Sequence, residues 1–505
     1  MNCVPRMLVF LSSLIFPLAL PSGFAAPLLS DDSAIEVGVA ETDITPPLGF
    51  PMAGYFHERL NEGTTDPLKA KAIVFRGSGQ QAALVVCDLI GIWTDFSRLI
   101  KEEASRKTGI PQNCIVVSAT HSHTAPDYAK ALYGWIAAKN PPAAASAMNG
   151  VEQNPERLAY IESLIQNTVD AIVQAHTNAA PVTLQSGWAE QNVPVAFNRR
   201  FVQKDGSVKT WVGLEYAGTV RSAGPIDSEI PLLLAKSMAG EPKTVLSNFA
   251  LHLDTVGGMK WSADYPFSVS QTVQNALGPQ VVSIFGTGCC GDINHVNPRG
   301  KDRNNTAFIG GSIGETVVAG LKSLSPIEKP TLRVRSSVVN IPLQQATTES
   351  VAESVRVLKA VSAGEQVDFS DHVTAHKTLM IDQMRNNPRL AKDEDAHLAR
   401  RTTHCLIGVG ATMPVEINAI CIGDDLAIVC LPGEVFVELG LAIKRASPYR
   451  HTMVIELSNS VETYYVPTRA AFAGGGYEPT NSTIAHGGGE LLVEESIRML
   501  RSAAE

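Results

Sequence analysis

Short apolar runs alternate with segments of helical periodicity along the chain, and this alternation constrains the fold more than any other feature of the sequence. The predicted strands cover residues 81–92, 114–120, 244–253, 281–285, 332–341, 415–422 and 426–431. Two clear helices are predicted over residues 95–108, which Gly109 ends, and over residues 155–176, which begin with a proline. Mixed elements of this kind indicate sheets covered by helices, so the expected fold class is α/β or α+β, with the strand order left open.

The composition is that of a chain with a large core. Of its 505 residues, 45% are hydrophobic and 18% are charged, the reverse of the balance in disordered segments. Lysine and arginine number 41 against 50 aspartates and glutamates, which gives a formal net charge of −9. Because a nucleic-acid-binding protein needs a basic surface, we expect no nucleic acid partner. Enzymes, binding modules and structural proteins remain open.

The N-terminus has the pattern of a secretory signal peptide over residues 1–25. Arg6 supplies the positive charge, residues 7–20 form the apolar stretch, and small residues at Gly23 and Ala25 fit cleavage after Ala25. A membrane anchor is the alternative, but the stretch is shorter than the roughly 20 residues that a spanning helix needs. We therefore expect an exported protein, periplasmic or secreted.

Polar residues follow the predicted strand 114–120 in the sequence THSHTAP, which contains His121 and His123. In an extended segment residues i and i+2 point to the same side, so both imidazoles are expected to project from the end of a sheet. This arrangement suits one metal ligand beside one acid/base group. The HxHxDH pattern of metallo-β-lactamases and the first-strand HxH of amidohydrolase barrels do not fit.

Three further strand ends carry candidate residues, and each has a plain structural alternative. His252 in FALHLD is a candidate ligand or a satisfied core histidine. Glu434 in LPGE stands before a predicted helix over residues 435–445, where the helix dipole favours a carboxylate simply as a cap. The tyrosines of YYVPTR and of the following GGYE are candidates too, although tyrosines beside glycines are common in packed loops.

In their order along the chain these motifs resemble the neutral/alkaline, non-lysosomal ceramidase family, from about residue 37 to residue 478. The motifs are VGVAETDITPP, TDPL, THSHTAP, the Asn198-Arg199 pair, FALHLD, GCCGDIN, LPGE and YYVPTR with GGYE. The resemblance implies one catalytic domain over residues 26–505, a mixed α/β fold of stacked β-sheets covered by helices. Within it, residues 348–401, which are rich in charged side chains, are expected to form a peripheral helical excursion. No counterpart of the family's C-terminal β-sandwich domain is expected.

The resemblance also implies a site with one Zn²⁺ per chain. The implied metal ligands are His121, His252, Glu434 and Tyr465, and the implied catalytic neighbours are His123, Arg199 and Tyr477. Two imidazoles and a carboxylate suit hydrolytic zinc, which lowers the pKa of bound water toward about 7. Hydrogen-bond donors beside it would stabilise the oxyanion formed when that water attacks an amide carbonyl.

The predicted function is therefore that of a zinc-dependent amidohydrolase of the N-acylsphingosine type, acting in sphingolipid metabolism on ceramide or another N-acylated lipid. A zinc hydrolase of a non-lipid amide or ester, and a binding protein without turnover, are the alternatives. One departure bears on the substrate, because Gly288 stands where the family has a serine, so either Thr287 substitutes or the substrate differs. Expected partners are a small-molecule or lipid substrate and a membrane surface, with the oligomeric state left open.

Overall fold

The computed structural model describes residues 35–140, 152–300, 304–398 and 403–505. These residues belong to one compact unit. The expected signal peptide, residues 1–25, lies outside the described residues, as do residues 399–401 of the expected helical excursion. Among the described residues, no helix combines the length and the apolar character that crossing a membrane requires.

The strands of the described residues are numbered in chain order. The first twelve are β1 (Glu36–Asp43), β2 (Pro51–Met52), β3 (Arg59–Leu60), β4 (Gly63–Thr64), β5 (Lys69–Gly77), β6 (Gln80–Cys87), β7 (Ile115–Ala119), β8 (Ala180–Glu190), β9 (Phe197–Asn198), β10 (Arg200–Gln203), β11 (Val208–Thr210) and β12 (Thr219–Ser222). The others are β13 (Glu229–Ser237), β14 (Pro242–Phe249), β15 (Lys260–Trp261), β16 (Val282–Thr287), β17 (Ile293–Asn294), β18 (Ser325–Pro326), β19 (Leu332–Pro342), β20 (Thr412–Ile422), β21 (Leu426–Cys430), β22 (Glu434–Val435), β23 (His451–Ile455) and β24 (Tyr465–Val466).

The helices of the described residues are also numbered in chain order. They are α1 (Thr94–Thr108), α2 (Ala129–Lys139), α3 (Pro155–Thr177), α4 (Tyr265–Leu277), α5 (Thr306–Gly320), α6 (Thr348–Ser362), α7 (Phe369–Arg385), α8 (Val437–Ala446), α9 (Arg469–Gly474), α10 (Tyr477–Thr480) and α11 (Gly488–Ala504).

Two sheets dominate the described part of the chain. The larger has the order β16-β14-β13-β8-β1-β5-β6-β7, with β18 paired to β8, and the smaller has the order β19-β20-β21-β23. Most neighbouring strands are antiparallel, but β6–β7, β14–β16 and β21–β23 are parallel. The larger sheet curls so that its two edge strands approach each other: Thr287 at the end of β16 donates its hydroxyl to the Thr120 carbonyl beyond β7, at 2.7 Å.

Burial on both faces explains why the strands read as continuous apolar runs. In β6, Leu84 packs into the core between the two sheets, whereas Val85 packs on the opposite face under α1 and α3. Helices α4 and α5 cover the β13–β14–β16 side, and α8 and α11 cover the outer face of the smaller sheet. The prediction of a mixed α/β fold, with stacked sheets covered by helices, is confirmed.

The helix predictions match the structure more closely than the strand predictions. Helix α1 ends at Gly109, whose φ of 77° is the left-handed conformation that a glycine C-cap supplies. The strand predicted over residues 244–253 ends at Phe249, because the following residues leave the sheet. Leu251 and Leu253 remain fully buried against helices, so their apolar character reflects burial without strand pairing.

Candidate metal centre

Three imidazoles from two distant parts of the sequence meet at one point. Nε2 of His121 lies 3.0 Å from Nε2 of His252, and Nε2 of His123 lies 3.3 Å and 3.2 Å from those two atoms. His121 and His252 are almost fully buried. These three side chains could hold a metal ion.

The Glu434 carboxylate completes the cluster. Its Oε2 lies 3.4 Å from Nε2 of His121 and 4.0 Å from Nε2 of His252, and it accepts no hydrogen bond of ordinary geometry from any described residue. Burial alone would raise the pKa of Glu434, but the neighbouring His121, Tyr465 and Arg199 outweigh it and hold the pKa below its usual value. The site therefore contains a buried carboxylate, ionised at neutral pH, with one oxygen left to bind a cation.

Distances within this cluster match those between ligands of a single ion. Ligand atoms arranged tetrahedrally at 2.0–2.1 Å from Zn²⁺ lie about 3.3 Å from one another. The contacts of His121 with His252, His123 and Glu434 span 3.0–3.4 Å. In addition, the Ile90 carbonyl accepts a 2.6 Å hydrogen bond from Nδ1 of His121, which directs the lone pair of Nε2 into the cluster. The residues present therefore fit a metal ion.

The local structure around His121 differs from the predicted extended segment. Strand β7 ends at Ala119, and His121 has a φ of 80°, in the left-handed region. Its backbone N–H donates to the Leu89 carbonyl, while the N–H of His123 donates to the Leu253 carbonyl. The expectation that the two histidines project from a strand at i and i+2 is wrong. A turn brings them together.

The prediction that Glu434 stands at a helix N-terminus is also wrong. Helix α8 begins at Val437, and Glu434 lies in the two-residue strand β22, directly opposite Tyr465 in β24. The preceding Gly433 has a φ of 67°, and a side chain there would overlap the Thr463 hydroxyl. This tight turn after β21 directs the carboxylate into the site.

Arg199 and Tyr465 are joined by a hydrogen bond beside the cluster. Nη2 of Arg199 donates to the Tyr465 hydroxyl and to the Gly291 carbonyl, both at 2.9 Å, and its Nε donates to Glu478 at 2.9 Å. Burial opposes the guanidinium charge, but Tyr465, Glu478 and Glu434 outweigh it and raise the pKa of Arg199. Arg199 is thus a buried, permanently charged donor next to a predicted metal ligand.

His123 and Tyr477 face the cavity in front of the cluster. The Asn481 amide donates to the Tyr477 hydroxyl at 2.8 Å, so the phenolic proton can be donated to an acceptor in the cavity. Nδ1 of His123 lies 3.8 Å from Oδ1 of Asp254. Burial, together with the neighbouring His121, lowers the pKa of His123 to about 3 and leaves its imidazole neutral at pH 7.

All seven residues that the sequence pointed to lie at this site. Each of them borders at least one of two adjoining cavities, and the larger cavity has a volume of about 830 Å³. Its wall is rich in aromatic side chains, among them Tyr55, Phe56, Phe201, Trp211, Tyr216 and Phe369.

Several residues of this wall were missed by the sequence analysis. Phe369 and His372 belong to α7, in the segment that was expected to be peripheral and free of motifs. The i, i+4 spacing of His372 and His376 was a usable signal, since their Nε2 atoms lie 3.1 Å apart on one helix face. Trp211 lies in the segment between β11 and β12, where the sequence carries no such signal.

The departure at Gly288 has a structural cause. A Cβ atom on Gly288 would lie 2.8 Å from the backbone nitrogen of Ala250, so the turn has no room for a serine as it stands. The Thr287 hydroxyl is fully buried and donates to the Thr120 carbonyl. Thr287 therefore uses its hydroxyl within the fold.

Comparison with solved structures gives two similar proteins. Neutral ceramidase from Pseudomonas aeruginosa matches with a TM-score of 0.65 and 18% sequence identity, over 93% of this chain and 74% of that one. A ceramidase complexed with C2 matches with a TM-score of 0.64 and 16% identity, over 93% of this chain and 75% of that one. No protein-family model matches the sequence, and no curated protein is significantly similar to it. The fold of this chain is therefore that of the neutral ceramidases.

Proposed function

We propose that this chain is a zinc-dependent hydrolase of an amide bond in ceramide or another N-acylated lipid. The observation that carries the proposal is the buried Glu434 Oε2, which accepts no hydrogen bond of ordinary geometry among the described residues and lies 3.4 Å from Nε2 of His121, beside the two adjoining cavities. Buried carboxylates are normally paired, so an unpaired oxygen at this position supports a cation-binding role.

The residues around the cluster supply the remaining parts of a hydrolytic site. A bound Zn²⁺ would supply a water molecule with its pKa lowered toward about 7 and would polarise the scissile carbonyl. Arg199 and Tyr477 would donate hydrogen bonds to the oxyanion, since a charged guanidinium and a phenolic O–H are strong donors. His123, neutral and beside the cluster, would take a proton from the attacking water and pass it to the leaving amine.

Size and lining of the cavity favour a substrate with an apolar part. At about 830 Å³ the cavity lies within the 300–1,000 Å³ range of small-molecule sites. Aromatic walls formed by Phe56, Trp211 and Phe369 suit an acyl chain. Burial of such a chain would contribute about 0.8 kcal/mol per methylene group.

One observation favours a second candidate, a related hydrolase of a non-lipid amide or ester. The Gly288 turn carries no hydroxyl, and the Thr287 hydroxyl is already bonded within the fold. A substrate that needs no hydroxyl from this turn would be hydrolysed as well as ceramide or better.

Export and membrane contact belong to the same proposal. The N-terminal pattern supports cleavage after Ala25, and N-terminal sequencing of the native protein should find the mature chain starting at Ala26. At the cavity, Trp211 and Tyr216 are exposed to 52% and 42%. Aromatic side chains of this kind favour the membrane–water interface, so we expect binding to lipid vesicles.

The test is hydrolysis over a panel of N-acyl lipids, short N-acyl amides and esters, together with metal analysis of the purified protein. Glu434→Gln removes the carboxylate charge at constant size and should lose both metal and hydrolysis. Glu462→Gln is the matched control, because Glu462 is an equally buried glutamate whose partners are Thr94, Ser460 and Thr403. Wild-type protein that binds no zinc and hydrolyses nothing in the panel would leave only a binding role.

A further inference from the structure

Glu478 is a completely buried carboxylate behind the site, and the proposed chemistry gives it no role. Glu478 has no exposed surface, and its Oε1 accepts the Nε–H of Arg199 at 2.9 Å. Its other oxygen, Oε2, accepts the Thr210 hydroxyl at 2.9 Å and lies 3.5 Å from Nε of Arg200. Two arginines and a hydroxyl therefore hold this carboxylate in one orientation.

Arg199 makes its contacts through two nitrogens of its guanidinium. Nε faces Glu478, and Nη2 faces the Tyr465 hydroxyl and the Gly291 carbonyl. Nε and Nη2 lie on the same edge of the planar guanidinium, so a fixed Nε–H bond also restricts the direction of the Nη2 N–H groups. With the Nε anchor absent, rotation of the side chain would displace the bond to Tyr465.

We propose that Glu478 is a positioning residue, which orients Arg199 toward Tyr465 and the cavity and acts on the reaction only through Arg199. The proposal rests on the proposed function, because it gives Arg199 a task in hydrolysis. Glu478 itself does not line the cavity. Partners of this kind, one step removed from a metal site, typically change activity about 10- to 100-fold when replaced.

A double-mutant cycle tests the proposal in the full-length, metal-loaded protein. Arg199→Gln should lower kcat about 10²–10³-fold, as for other oxyanion donors, and Glu478→Gln about 10- to 100-fold with little change in KM. Because Glu478 acts through Arg199, the double variant should be no slower than Arg199→Gln alone. Losses that multiply in the double variant would overturn the proposal.

A control variant and a second readout distinguish the positioning of Arg199 from a purely structural role of Glu478. Glu462→Gln replaces an equally buried glutamate away from the cavity, and we expect it to change thermal stability but leave kcat near the wild-type value. In ¹⁵N-labelled protein, the Arg199 Nε–H signal, identified by its loss in Arg199→Lys, should shift and exchange faster with water in Glu478→Gln. An unchanged signal would also overturn the proposal.

The NMR readout does not depend on turnover. If the wild-type protein hydrolyses no substrate, the proposed function has failed, while the orientation of Arg199 by Glu478 is still decided by the Nε–H signal. If hydrolysis is found and Glu478→Gln has wild-type kcat with its fold intact, only the positioning proposal fails.

Discussion

Nε2 of His121 and Nε2 of His252 lie 3.0 Å apart, although the strands before them, β7 and β14, are separated by five strands in the order of the sheet. The curl of that sheet brings the two strand ends together, and the bond from Thr287 to the Thr120 carbonyl joins them. The candidate metal centre is thus a consequence of how the larger sheet closes on itself. Replacements that weaken this junction should affect the site as well as stability.

Tyr477→Phe should slow hydrolysis and leave the metal in place. The change deletes one phenolic O–H, whose oxygen is held by Asn481, and a donor aimed at the oxyanion acts mainly in the transition state. We expect kcat to fall about 10²–10³-fold with nearly constant KM. Steady-state kinetics with metal analysis measures both. Tyr449→Phe, in the core of the smaller sheet, is the control and should keep wild-type kcat. A rise in KM with unchanged kcat would instead assign Tyr477 to substrate binding.

His123→Gln should retain the metal and lose most of the rate. Its Nε2 lies 3.3 Å and 3.2 Å from those of His121 and His252, as close as a ligand would be, but the proposed ligand set of His121, His252, Glu434 and Tyr465 does not include it. Metal content measured after gel filtration should stay near one ion per chain, while kcat falls about 10²–10⁴-fold, as for other general acids. Loss of the metal in this variant would make His123 a ligand and end its assignment as proton donor.

Gly288→Ser should destabilise the protein without improving ceramide hydrolysis. The new Cβ would meet the Ala250 backbone at 2.8 Å, and overpacking of this kind costs about 1–3 kcal/mol in the free energy of unfolding. Denaturant unfolding measures the loss. Gly311→Ser is the control, since a Cβ there has no neighbour within 4 Å. A stable Gly288→Ser variant that hydrolyses ceramide faster would show that the turn can accept a serine.

Asp264 should make stability fall as the pH rises from about 4 to 6. Burial outweighs the hydrogen bonds from Thr255, Val256 and Tyr265 and raises the pKa of Asp264 from 3.8 to about 6. Between these values the folded protein holds a proton that the unfolded chain has lost, so the difference contributes about 3 kcal/mol that disappears by pH 6. Asp264→Asn should remove this part of the slope in urea unfolding curves. If the free energy of unfolding varied with pH in the same way in the variant and the wild type, the raised pKa of Asp264 would be contradicted.

The sequence predicted the residues of the site better than the geometry that assembles them. His121, His252 and Glu434 were identified from strand ends, motif order and family resemblance. However, the turn at His121 and the pairing of Glu434 with Tyr465 depend on contacts between distant segments, which no local pattern encodes.

Packing between distant segments also explains which features of the site could not be predicted from the sequence. Helix α7 was recognised as helical, but its placement beside the cavity follows from tertiary packing of Phe369 against Phe56 and Tyr477. Glu478 was visible in the GGYE motif, but its pairing with Arg199 and Arg200 was not. Side chains that act through partners far along the chain carry no signal of their own in the sequence.

Metal stoichiometry of the wild-type protein and of His121→Ala tests the central claim most directly. We expect close to one zinc ion per chain in the wild type, and neither zinc nor hydrolysis in His121→Ala, because the remaining ligands hold the ion poorly. Both proteins should be folded by circular dichroism, so that the loss is assigned to the site. A His121→Ala protein that keeps its zinc or its full hydrolytic activity would contradict the assignment of this centre.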